Sequence, residues 1–112
     1  MELFFTDVDT LGLNSVVIRL HGELDISVSE PAWHALVTAA VSADRVVVDL
    51  TNLEFIDAAG YRLLTDFERL VASQGGECSM RGAHGIVRRL FQLIESCAVS
   101  SRRDDTRCGV RR

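Results

Sequence analysis

The residues able to do chemistry are few and scattered. His21, His34 and His84 lie far apart and form no H-E-x-x-H pair of the kind that holds zinc on one helix face. Cys78, Cys97 and Cys108 lack the close pairing of a zinc knuckle. Gly82-Ala83-His84-Gly85 has neither the Walker spacing nor the G-x-G-x-x-G spacing, so no loop is built to cradle phosphates. A G-x-S-x-G nucleophile elbow is also absent. These absences argue against an enzyme, and neither a metal nor a cofactor is expected. What remains is a pair of carboxylates at junctions: Asp25 after Gly22-Glu23-Leu24, and Asp57 before Ala58-Ala59-Gly60. Taken alone, each reads as a cap for backbone amides, Asp57 on a helix and Asp25 on a turn.

The elements that must position these carboxylates follow from periodicity. Leu3 to Val8 reads as an edge strand, with Gly12 and Asn14 in the turn that follows. Val16-Val17-Ile18-Arg19-Leu20 is β-rich and ends at Gly22. Ser29-Glu30-Pro31 reads as a helix start with a capping Ser and a proline in the first turn. Trp33, Leu36, Val37, Ala40 and Val41 then form an apolar stripe, with His34 beside it as a boundary residue. Arg45 to Leu50, with its Val run, predicts a central strand covered on both faces with a parallel partner. Leu53, Phe55 and Ile56 lead to Asp57 and a second helix. Gly60, Leu63, Leu64, Phe67 and Val71 lie on its inner side, and Arg62, Asp66 and Arg69 are spaced to pair on its outer side. Gly75-Gly76 stops that helix. Glu77 to Met80 alternates as a strand, and a third helix runs from about His84 to Ser96, burying Val87, Leu90, Phe91 and Ile94. Strands alternating with helices predict an α/β layer structure, a mixed sheet of four to five strands with helices packed on it.

The 112 residues suit one domain, and 47% apolar residues with 25% charged ones argue against disorder. All twelve basic residues are Arg, and the formal net charge is −4. Residues 1–100 carry seven Arg against fourteen Asp and Glu, whereas 101–112 carry five Arg against two Asp. An acidic body is a poor nucleic-acid binder, because phosphate neutralisation dominates that affinity. The division expected is a domain over 1–100 and an Arg-rich, mobile tail over 101–112. Without a long apolar run or a basic leader, no membrane insertion is expected and the cytoplasm is the expected compartment.

Two segments carry a family resemblance together. Val17 to Asp25 ends in Gly-Glu-Leu-Asp, and Val48 to Gly60 contains Asp49-Leu50, Leu53, Phe55-Ile56-Asp57 and Gly60. With Gly75-Gly76 before the next strand, the chain resembles the STAS domain family over roughly residues 3–95. It looks like the anti-sigma factor antagonist branch. That resemblance implies a cytoplasmic module that binds an anti-sigma factor of the serine-kinase type and so frees a sigma factor for transcription. It also implies a docking surface at Asp25, Asp57, Ala58, Ala59, Gly60, Tyr61 and Arg62.

The family's kinase phosphorylates a Ser between the matching Asp and Gly. Here both intervening residues, Ala58 and Ala59, lack a hydroxyl. The switch cannot operate at that position, which implies a constitutive module or one controlled otherwise. Related expectations are a STAS subunit of an ABC-type lipid or anion transport complex, or a scaffold subunit in a STAS signalling assembly. Family members usually continue with a strand and a terminal helix after the third helix. Ala98-Val99 reads as a stub of that strand, and the terminal helix is expected to be missing, which would uncover a groove and favour a homodimer. Cys78 is expected in the core and inert. Cys97 and Cys108, the latter among Arg residues, form a candidate redox pair. Their bond would close a loop of about 12 residues, worth roughly 3 kcal/mol in chain-entropy terms.

Overall fold

The computed structural model describes residues 4–105, with side chains through Ser96. Its elements are β1 (Phe5–Gly12), β2 (Ser15–Leu24), a 3-10 turn (Ile26–Val28), α1 (Ser29–Ala40), β3 (Arg45–Asp49), β4 (Leu53–Ile56), α2 (Ala58–Ser73), β5 (Glu77–Arg81) and α3 (Gly85–Asp105). The sheet order is β1-β2-β3-β5, with β4 pairing β2 off that path. β1 is antiparallel to β2, joined by a turn in which Asn14 takes the left-handed conformation (φ 62°) that Asn tolerates. The remaining pairings, β2–β3, β2–β4 and β3–β5, are parallel.

β2 organises the molecule. Its first half pairs β3 from Ser15 to Arg19, and Gly22 to Leu24 meet β4, with a register shift between Gly22 and Glu23 and with Leu24 opposite Ile56. Because the strands run parallel, the residues that follow them, Asp25 and Asp57, emerge at the same sheet end. Alternate residues of β2 and β3 (Val16, Ile18, Leu20, Val46 and Val48) are buried in one core with Leu36 of α1 and Leu64 and Phe67 of α2. Trp33 meets Phe67 edge to face with ring centroids 6.3 Å apart.

The expected mixed α/β sheet is present, with these differences. Leu53 to Ile56 is a strand in its own right, stabilised by pairing with β2 rather than by local pattern. Ser29 does not cap α1: the 3-10 turn begun at Asp25 runs straight into the helix, so Ser29 is already helical and its hydroxyl donates to the Asp25 carbonyl. Val41 stands past the last turn of α1 and is exposed. The Val run of β3 is fully buried on one face only. Val47 is half-buried on the opposite sheet face, where its register partner Val17 is buried but polar residues lie beyond it. There Arg19 meets Asp9 at 2.6 Å and Asp7 at 3.5 Å, His21 meets Asp7 at 3.0 Å, and Phe5 stacks on His21. On α2, Asp66 pairs with Arg69 at 3.1 Å and not with Arg62.

α3 passes the expected end at Ser96 and continues to Asp105, so Ala98 and Val99 are helical rather than a strand stub. No Gly or Pro lies between Gly85 and Asp105, so nothing in that stretch breaks the helix. The Cys97 side chain and all of Cys108 lie outside the described residues, and the expected pairing of these two lies there with them.

Candidate functional site

The site grows from the parallel ends of β2 and β4. Asp57 is extended and caps α2, its Oδ1 accepting from the Gly60 amide at 2.8 Å. Its Oδ2 accepts from the Ile26 amide at 3.2 Å, and its own amide donates to the Leu24 carbonyl at 3.3 Å. One carboxylate therefore ties the start of α2 to the loop that leaves β2. Asp25 completes that loop: its Oδ1 accepts from the Ser27 amide at 3.0 Å and the Ser27 hydroxyl at 2.6 Å. Both acids cap backbone amides, as their positions in the sequence suggested.

Gly60 makes the junction tight. It is buried, and a Cβ there would stand 2.5 Å from the Leu24 carbonyl oxygen and 2.8 Å from Cγ1 of Ile56. Only a residue without a side chain lets the first turn of α2 settle against the end of β2.

Ala58 is exposed, Ala59 is half-buried and Arg62 is exposed one turn on. All three line a groove of about 680 Å³ between α1 and α2, together with Ile26, Trp33 and Leu63. Tyr61 is directed elsewhere. It packs edge to face on Phe91 of α3 with centroids 5.0 Å apart, and burial followed by the nearby Glu95 charge pushes its phenol up. The expected surface thus divides. Asp25, Asp57, Ala58, Ala59, Gly60 and Arg62 gather at one end of the sheet, whereas Tyr61 faces α3.

Sequence reasoning missed the α1 side of this groove. Ile26 is 74% exposed although it is a large aliphatic residue, and that residue type directly after Asp25 was the available signal. It also missed the support beneath the β3–β4 turn. Asp49 accepts from the Thr51 amide at 3.0 Å and the Thr51 hydroxyl at 2.6 Å, and it pairs with Arg81 at 3.4 Å. Burial pushes the Asp49 carboxyl up, but these partners outweigh it and hold the group below its ordinary value. Among the described residues no group of three His, Cys, Asp or Glu side chains could hold a metal, and no helix is long and apolar enough to cross a membrane.

Comparison with known proteins matches this architecture. A family model described as Mlab, STAS domain matches residues 9–96. An anti-sigma F factor antagonist of Paenibacillus polymyxa is 28% identical over 80 residues, covering 70% of this chain and 68% of the relative. Among solved structures, the anti-sigma factor antagonist SpoIIAA in its unphosphorylated form superposes with a TM-score of 0.68 at 24% identity, covering 81% of each chain. An anti-sigma factor antagonist from Mycobacterium paratuberculosis gives a TM-score of 0.68 at 22% identity, covering 87% of this chain and 82% of that one. Those two likenesses establish the fold, and the family match spans most of the chain. With its sheet order, its Asp57-capped α2 and that match, the chain belongs to the STAS domain family.

Proposed function

We propose that this chain is an anti-sigma factor antagonist that binds an anti-sigma factor of the serine-kinase type through the start of α2, and so releases a sigma factor. The observation that carries the reading is the Asp57 bridge. One carboxylate fixes Ala58, Ala59 and Arg62 beside the β2–α1 loop, presenting a preorganised surface rather than a catalytic one. The similarity to a named anti-sigma F factor antagonist supports it.

Residues 58 and 59 are both Ala, so the kinase has no hydroxyl to modify there and binding is constitutive or controlled by other means. A phosphate at this point would bring about −1.5 to −2 charge beside Asp25 and Asp57. The relative SpoIIAA has been described in both unphosphorylated and phosphorylated forms. The same missing hydroxyl also suits a second reading, a STAS subunit docked on a transporter ATPase. Calorimetric titration against a purified anti-sigma kinase and against the ATPase subunit of an ABC-type transporter from the same organism separates the two. Saturable binding to the kinase alone supports the antagonist. Binding to the ATPase alone replaces it.

A further inference from the structure

We propose that the groove between α1 and α2 is a docking slot for a partner helix presenting a large apolar side chain flanked by Arg or Lys. This rests on the antagonist reading and extends its surface from the start of α2 onto α1.

The walls of the groove are apolar: Ile26, Trp33 and Leu63, with Ala58 and Ala59 at its mouth. Trp33 is fixed by Phe67, and the Ile26 backbone is fixed by Asp57, so the walls stand in place before a partner arrives. Preorganised apolar surface is what anchors a helix laid into a groove. The two short Ala side chains keep the mouth open where a longer or charged one would fill it.

The rim decides the occupant. Glu30 on α1 and Asp66 on α2 are the acids of the lining, while the neighbouring Asp25 and Asp57 carboxylates accept backbone amides beside it. Arg62 is the one cation in the lining. Asp66 also meets Arg69, but that exposed pair is weak and leaves the acid accessible to a competing cation. The residues 1–100 as a whole carry twice as many acids as Arg, so a second copy of this face would meet like charge. A basic helix with an apolar centre is complementary on both counts.

The test uses 15N-labelled full chain titrated with a helical peptide carrying Leu residues on one face and flanking Arg. One matched peptide has Glu for Arg, and another has Ala for Leu. The expected result is saturable shift changes concentrated at Ile26, Trp33, Ala58 and Ala59, weakened about tenfold or more by either peptide change and by Ile26→Asp. Ile26 is exposed, so that variant stays folded. Leu13→Asp, at the 90% exposed Leu13 in the β1–β2 turn, should leave binding unchanged. Shift changes elsewhere, no saturation, or equal binding of the acidic peptide would overturn the proposal. The anti-sigma kinase separates the two levels. If it binds wild type and Ile26→Asp equally, the slot is wrong and the antagonist reading stands. If it does not bind while the basic peptide fills the groove, the antagonist reading fails and the slot stands.

Discussion

Asp57 holds Ile26: the carboxylate that caps α2 through the Gly60 amide also accepts the Ile26 amide, 31 residues earlier in the chain. Cap and loop are one structure. Asp57→Ala should therefore cost more than an ordinary cap, whose loss is typically about 0.5–2 kcal/mol, because the Ile26 amide loses its partner too. Asp57→Asn keeps an acceptor for one amide but turns an NH2 donor toward the other, and should recover only part of the loss. Urea denaturation of the two variants checks this. Equal destabilisation would mean that the charge, not the acceptor geometry, is what matters.

Gly60→Ala tests the close approach. The added methyl meets a backbone oxygen, which cannot rotate away, so overpacking of about 1–3 kcal/mol is expected, with a lower melting midpoint. Gly75→Ala serves as a contrast, since nothing lies within 4 Å of its added Cβ and its cost comes only from the left-handed φ of 85°. A Gly60→Ala protein as stable as wild type would show that α2 can shift off β2.

Much of this was legible in the sequence, and the remainder had physical reasons to be hidden. The inner face of α2 is readable because Gly60, Leu63, Leu64, Phe67 and Val71 recur at helical spacing, and all five are buried. Asp25 and Asp57 are readable because Asp at an element start serves amides. β4 escaped because its four residues gain their hydrogen bonds from β2, about thirty residues away, which no local pattern reveals. The groove escaped because its walls come from two helices and a turn. The direction of Tyr61 toward Phe91 was hidden because a run of adjacent residues does not show which way each one faces, and a helix turns each residue by about 100°. Val47 was misread because a continuous Val run does not reveal which sheet face is polar.

Glu68 gives the fold a pH dependence. Burial, then the Glu95 charge, pushes its carboxyl up, partly opposed by Arg69. The folded chain therefore holds this proton to higher pH than the unfolded chain. Between the two values stability falls as pH rises, and at neutral pH the ionised group is a liability. Glu68→Gln should be more stable than wild type at pH 7. The gain should vanish below the ordinary carboxylate value of about 4. A gain of equal size at both ends of the titration would assign the effect to packing instead.

Cys78 should be inert while the protein is folded. Burial, with the Glu68 charge beside it, pushes its thiol up to about 11. In a chain with Cys97→Ser and Cys108→Ser, alkylation at pH 8 should be on the order of a hundredfold slower folded than in denaturant. Similar rates in both states would show that β5 opens readily.

In the proposed function, the start of α2 binds an anti-sigma kinase without a phosphate switch. Wild type and the Ala58→Ser, Ala59→Ser double variant should each be incubated with the kinase and ATP, then examined by intact mass and by calorimetric titration. Wild type should gain no phosphate and keep its affinity, whereas the double variant should gain one phosphate and lose binding. Stoichiometric phosphorylation of wild type with loss of kinase binding would show that a phosphate switch operates elsewhere on the chain.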